Sequence, residues 1–125
     1  SKKILPSGFF VVEYIPNQLL VGTCFASHLP ISRHPFAGNL GFLVVDSLHR
    51  GKKIGSKLVN SVMKRLSEVG YDRIYLGTHD FRLSAIKIYI NLGWIPFIYT
   101  PQMLEKWINI YKKLGFSIDN QSWIK

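Results

Sequence analysis

The sequence predicts an α/β protein with a mixed central sheet flanked by helices, and three observations carry that expectation. Short runs rich in β-branched and aromatic residues, at 9–15, 19–28, 39–46 and 72–78, are set apart by proline, glycine and asparagine. Two amphipathic stretches, 51–69 and 82–92, are each closed by a glycine. A strand, helix, strand order fills the second half of the chain and demands parallel pairing, whereas the first half has the signature of an antiparallel hairpin.

Taken in order, 9–15 and 19–28 are separated by Pro16-Asn17-Gln18, a turn that joins two antiparallel strands. Segment 29–38 carries Pro30, Pro35 and Gly38 and reads as a loop, and 39–46 is the third strand. In the helix 51–69, Ile54, Leu58, Val62, Leu66 and Val69 fall on one stripe at spacings of four and three, and Gly70 ends it. A short buried strand at 72–78 follows. The helix 82–92 is closed by Gly93, a strand is expected at 94–99, and a C-terminal helix begins near Pro101.

A chain of 125 residues with 47% hydrophobic and 14% aromatic content fills one core, so 1–125 is expected to be a single domain. The single cysteine, Cys24, excludes an internal disulfide and argues against a structural zinc site. It lies in the apolar run 20–26, as a buried inert thiol would, and the usage fits a reducing cytoplasm. No metal site is expected. No apolar run approaches about 18 residues, and Ser1-Lys2-Lys3-Ile4 lacks a signal-peptide core, so no membrane partner is expected. The net charge of +9 is spread along the chain rather than gathered in one block, which reads as a solvated surface more than as a nucleic-acid footprint.

The segment Gly41-Phe42-Leu43-Val44-Val45-Asp46-Ser47-Leu48-His49-Arg50-Gly51-Lys52-Lys53-Ile54-Gly55-Ser56-Lys57-Leu58 leads an apolar strand through a basic, glycine-bearing turn into the amphipathic helix. Such a helix start aims unpaired backbone N–H groups and a positive dipole end at whatever lies above the turn. Gly51 and Gly55 keep the approach clear of Cβ atoms, while Arg50, Lys52 and Lys53 add charge. The expected ligand is a phosphate or pyrophosphate. Neither G-x-G-x-x-G nor G-x-x-x-x-G-K-[ST] is present.

Arg50-Gly51-Lys52-Lys53-Ile54-Gly55 resembles the [RQ]-x-x-G-x-[GA] acyl-coenzyme A loop of the GCN5-related N-acetyltransferases, with Lys53 where that family usually has glycine. Ala85, Tyr89, Gly93 and Trp94 resemble the family's A-x-x-x-Y-x-x-x-G-[FW] element, and Tyr89 stands 34 residues beyond Gly55. The resemblance implies an acyl-CoA N-acyltransferase-like fold and transfer of an acetyl group from acetyl-coenzyme A to a primary amine. It implies that Arg50, Gly51, Lys52, Lys53, Ile54, Gly55 and Ser56 hold the pyrophosphate. Leu43, Val44 and Val45 would offer backbone groups to the pantetheine arm, with a bulge near Val44 or Val45 freeing an N–H for the thioester carbonyl. Tyr89 takes the position that in many members protonates the departing thiolate; packing on the inner helix face is the alternative for such a tyrosine. A base must deprotonate the ammonium, and Glu13, Asp46, His79 and Asp80 are all candidates, acting directly or through water, among which the sequence does not choose; His79 and Asp80 could equally cap the following helix.

The family core normally begins with another strand and one or two helices, whereas about eight residues precede the first expected strand, so the N-terminal part and the acceptor side are expected to be shortened. The acceptor is a small-molecule or peptide amine, and a homodimer is compatible with the sequence. A coenzyme A-binding regulatory pseudoenzyme of the same fold and a basic nucleic-acid-binding domain stay open as alternatives. Finally, 86–94 is echoed at 108–116, where Tyr111, Gly115 and Phe116 repeat Tyr89, Gly93 and Trp94; Tyr111 lacks a preceding strand, which favours Tyr89 as the acid.

Overall fold

A computed structural model of the chain describes residues 3–118. The chain divides into two compact units, Ser1–Gly77 and Thr78–Lys125. The first contains β1 (Lys3–Tyr14), β2 (Leu19–His28), β3 (Gly38–Val45), a 3-10 turn (Ser47–His49), α1 (Ile54–Glu68) and β4 (Ile74–Tyr75). The sheet order is β1-β2-β3-β4, antiparallel across the first two pairings and parallel between β3 and β4. The expected mixed sheet is therefore present.

The turn after β1 forms for local reasons. Asn17 Oδ1 accepts the Leu19 N–H at 3.1 Å, the Gln18 N–H donates to the Tyr14 carbonyl at 2.8 Å, and Gln18 takes a left-handed φ of 58°. β1 starts at Lys3, earlier than the expected Phe9. Pro6 and Gly8 disguise its first half in the sequence. Their segment is absorbed as an irregularity between the pairs Ile4↔Ser27 and Phe9↔Phe25, with Ser7 at φ 54°. Arg65 of α1 fixes this bend by donating from Nε to the Pro6 carbonyl at 2.9 Å.

α1 covers one sheet face. Its Leu58, Val59, Val62 and Leu66 are buried, as are Cys24 and Ala26 of β2 and Leu40 and Leu43 of β3. A Cβ on Gly22 would stand 3.0 Å from both Ile54 Cγ2 and Leu58 Cδ1, so the helix sits directly on β2 there. Each fully buried Val or Leu of this stripe contributes about 1.5–3 kcal/mol relative to exposure. Of the expected helix 51–69, residues 51–53 are turn, because Gly51 and Lys53 both take positive φ. Of the expected strand 72–78, only Ile74 and Tyr75 pair, with Gly38 and Asn39.

The second unit contains α2 (Leu83–Asn91) and α3 (Pro101–Leu114). α3 starts as the sequence requires: the Thr100 hydroxyl accepts the Met103 N–H at 3.1 Å, Pro101 fills the first turn, and Gly115 ends the helix in the left-handed region. The strand expected at 94–99 does not form. Pro96 removes a ladder donor from its middle. Among the described residues no helix is long and apolar enough to cross a membrane.

Cys24 is fully buried, and that burial pushes its thiol up to about 12 from an ordinary value of 9.0. An acid whose folded pKa is raised stabilises the fold below its unfolded pKa and loses that contribution as pH rises towards the folded value. Stability is therefore expected to fall between pH 9 and about 12, with Cys24 contributing up to about 1.4 kcal/mol per pH unit. Denaturant unfolding of Cys24→Ala beside the parent should show that part of the slope removed.

Candidate cofactor site

The site is built on β3. This strand pairs with β2 from Asn39 to Val45 but with β4 only at Gly38 and Asn39, so Leu40–Val45 runs beyond the reach of the β4 ladder. A strand released in this way presents one side of its backbone for pairing with an extended ligand. The register with β2 supplies a second feature. Thr23 opposes Val44 and Phe25 opposes Gly41, leaving Phe42 and Leu43 together opposite Cys24: a bulge, with Phe42 at φ 51°. It lies just before Val44 and Val45, which themselves stay in register. The reason is Gly41, where a Cβ would come within 2.7 Å of the Phe25 ring; the strand presses onto that ring and turns immediately afterwards.

From Val45 the chain enters the basic turn. The Asp46 N–H donates to the Val21 carbonyl at 2.8 Å, the 3-10 turn follows, and Gly51 (φ 82°) and Lys53 (φ 63°) swing the backbone into α1. No atom lies within 4 Å of a Cβ placed on Gly51, so this glycine serves conformation and leaves open space beside it. Lys53 is the N-cap residue and no side chain caps the helix, which leaves the first-turn N–H groups at Ile54, Gly55 and Ser56 without a capping side chain. Lys53 thus adopts the left-handed backbone natural to glycine, while its side chain is exposed.

A group that sequence reasoning did not single out braces this turn. His49 Nε2 lies 3.9 Å from Asp46 Oδ2, and its ring centroid lies 4.6 Å from that of Tyr14. Lys52 Nζ is 3.5 Å from His49 Nδ1 and 5.5 Å above the Tyr14 ring. The spacing of three between Asp46, His49 and Lys52 was the available signal. Asp46 is engaged here, in contrast to Glu13, which has an exposed position on β1 and alternates onto the same sheet face as Phe9 and Val11.

His79, Asp80 and Tyr89 belong to the second unit. His79 is exposed, stacks on Phe81 with centroids 5.3 Å apart, and lines a cleft of about 260 Å³ with Asp80, Lys106 and Trp107. Tyr89 is buried, its ring 5.9 Å from that of Trp94, and its carbonyl accepts the Trp94 N–H at 3.0 Å. Tyr111 repeats this arrangement with Phe116, again at 5.9 Å and 3.0 Å, and Gly93 and Gly115 both take positive φ. In both copies, then, the Y-x-x-x-G-[FW] pattern ends a helix by folding an aromatic residue back onto the tyrosine. Among the described residues no group of three or more His, Cys, Asp or Glu could hold a metal ion.

A model of the acetyltransferase (GNAT) family matches residues 2–94. The N-acetyltransferase 8B of Rattus norvegicus is 32% identical over 116 residues, covering 89% of this chain and 50% of that protein. The N-alpha-acetyltransferase 30 of Dictyostelium discoideum is 37% identical over 57 residues, 46% of this chain and 31% of that one. The chain therefore spans half or less of the length of these curated relatives. Among solved structures, a GNAT-family acetyltransferase of Staphylococcus aureus Mu50 aligns with a TM-score of 0.56 and 33% identity, covering 68% of this chain and 51% of that one. The glucosamine-6-phosphate N-acetyltransferase of Arabidopsis thaliana aligns with a TM-score of 0.61 over 74% of this chain and 62% of its own, at 22% identity, a likeness of fold.

A non-glycine residue in the left-handed region costs roughly 1–2 kcal/mol. Lys53→Gly is accordingly expected to stabilise the protein by about 1 kcal/mol after the entropy of glycine is set against that relief. Lys53→Val should destabilise it. Chemical unfolding midpoints of the two variants check the sign.

Proposed function

This chain belongs to the acetyltransferase (GNAT) family, and from that premise we propose that it transfers an acetyl group from acetyl-coenzyme A to a primary amine by direct attack. The observation that carries the reading is the conjunction on one short segment: β3, released from β4 after two pairs, runs through a bulge and a basic turn into a helix start that no side chain caps. These residues fit coenzyme A. The amides from Arg50 to Ser56 are suited to its pyrophosphate, and the backbone of Leu43, Val44 and Val45 to its amide-bearing arm. Bound there, the cofactor supplies an acetyl group activated as a thioester.

The remaining work falls to side chains. Glu13, exposed on β1, or His79, exposed beside Asp80, takes a proton from the acceptor's ammonium, and the neutral amine so formed attacks the thioester carbonyl. Tyr89 donates a proton to the departing thiolate. We propose further that 1–125 acts as one acetyltransferase domain, a reading supported by the family match, which runs across the division at Gly77 into the second unit. The acceptor is a small molecule or a peptide amine. A second reading, a coenzyme A-binding regulatory protein of the same fold, is favoured by the packing of Tyr89 against Trp94, which accounts for that tyrosine without catalysis.

Stabilisation against heat by acetyl-coenzyme A tests binding, and release of free thiol on adding amines separates transfer from regulation. Gly55 is buried in the first turn of α1, so Gly55→Val should weaken acetyl-coenzyme A binding at least about tenfold, on the order of 1.4 kcal/mol. Unchanged affinity in a folded variant would remove the loop assignment.

Tyr89→Phe keeps the ring that packs against Trp94 and removes the phenolic hydroxyl. Its turnover is expected to fall roughly 10- to 1000-fold at unchanged cofactor affinity, with Tyr111→Phe much less affected. Steady-state kinetics of both variants decides between the catalytic role and the packing role.

A further inference from the structure

The turn between β3 and α1 gathers its groups around one imidazole. The His49 side chain keeps only 12% of its exposure, and among the described residues the titratable groups that touch it are Asp46 and Lys52 of its own turn and Tyr14 of β1. The turn's other cations, Arg50 and Lys53, are exposed. A lysine ammonium can only donate, so the 3.5 Å contact between Lys52 Nζ and His49 Nδ1 requires Nδ1 to be the bare nitrogen. The ring proton is then on Nε2, the nitrogen that lies 3.9 Å from Asp46 Oδ2. The same ammonium stands 5.5 Å above the Tyr14 ring, whose face attracts it. An exposed lysine thus has two anchors.

A proton added to His49 inverts these relations. Nδ1 gains a hydrogen and stops accepting, and the imidazolium then faces a second positive charge at 3.5 Å. On its other side, Nε2–H turns a weak contact with the Asp46 carboxylate into a charged pair. Lys52 loses one anchor and keeps only the Tyr14 ring. Asp46, whose N–H is already tied to the Val21 carbonyl at 2.8 Å, gains one.

We infer that His49 is a proton-operated positioning residue of this turn: neutral, it holds Lys52 beside Tyr14, and protonated, it releases Lys52 and pairs with Asp46. The consequence for binding rests on the reading of this turn as the pyrophosphate site. The first-turn N–H groups that no side chain caps begin at Ile54, two residues beyond Lys52. A released ammonium and a new charge on His49 both add to the attraction for a pyrophosphate there. Protonation and anion binding therefore favour each other, and linkage makes the effect reciprocal, so that binding takes up a proton.

The probe is dephospho-coenzyme A, which keeps the pyrophosphate and lacks the 3′-phosphomonoester that would itself titrate. Calorimetric titration of the full chain is expected to show its affinity rising about two- to fivefold from about pH 8 to about pH 5.5, the span in which an imidazole gains its charge, with proton uptake on binding. His49→Phe keeps a ring against Tyr14 and should abolish both effects; His49→Gln, which cannot titrate, serves if that variant does not fold. A second readout needs no ligand. In the free protein the ε-methylene protons of Lys52, shielded by the Tyr14 ring, should move downfield as the pH falls, with the midpoint of the His49 ring protons, and should stay put in His49→Phe. A Lys52 signal that ignores the His49 titration, or a pH-dependent affinity that survives both substitutions, overturns the inference and leaves the pyrophosphate assignment standing. Lys52 following His49 in a protein that binds dephospho-coenzyme A at no pH overturns that assignment instead, and the link to binding with it.

Discussion

Everything at the candidate site depends on how β3 divides its hydrogen bonding. On the β2 side it is held in register as far as Val45, which fixes the direction in which the chain enters the basic turn. On the β4 side it is held by two pairs and then let go. Full pairing on both sides would close the surface that an extended ligand needs, and no pairing at Gly38 and Asn39 would leave the strand's start unanchored. The buried Ser27 hydroxyl, which donates to Asn39 Oδ1 at 2.9 Å, together with the Asn39 Nδ2 bond to the Tyr75 carbonyl at 3.5 Å, holds the pairing at the place where it is kept.

The same economy of position explains the glycines that matter. Gly41 lets the strand press on Phe25, and the bulge follows at the next residue because the pressed strand has to turn. Gly51 meets no neighbour at all and is there for its φ. Lys53 shows that the backbone path is specified even where the residue is wrong for it: the turn forces a lysine into the left-handed region rather than taking another course. What the basic residues do is divided as well. Lys52 is drawn onto His49 and Tyr14, so the turn's charge partly serves to brace the turn.

Much of this was legible in the sequence. The hairpin at Pro16-Asn17-Gln18, the buried stripe of α1, the mixed pairing and the strand-turn-helix segment all follow from local signals that the fold does not override. The misses have physical causes. β1 begins at Lys3 because an irregular strand can absorb Pro6 and Gly8 when Arg65 holds the bend, a contact 59 positions away. The strand at 94–99 fails because apolar content does not supply a partner edge, and Pro96 offers one donor fewer. The bulge expected near Val44 or Val45 is present at Phe42–Leu43, immediately before them, and the packed ring of Phe25 accounts for that place. The helix endings at Gly93 and Gly115 follow from their glycines, and the repeat of the tyrosine spacing at Tyr111 shows that this spacing encodes a helix ending.

The two-pair junction between β3 and β4 gives the first unit a mechanical gradient. β1, β2 and most of β3 form a ribbon braced by α1, whereas the backbone ladder to β4 is limited to Gly38↔Ile74, Asn39↔Tyr75 and the Gly38 N–H to the Arg73 carbonyl at 2.8 Å, with side-chain help from Asn39 Nδ2 on the Tyr75 carbonyl and from Tyr75, whose hydroxyl donates to the Leu29 carbonyl and whose ring stacks on His34. Opening of that junction breaks few bonds, so it belongs to the low-energy end of the unit's fluctuations, while the β1–β2 ladder opens only with the whole. A ligand lying along the released part of β3 would act as a splint across the soft side, converting a graded sheet into one that breathes as a single piece.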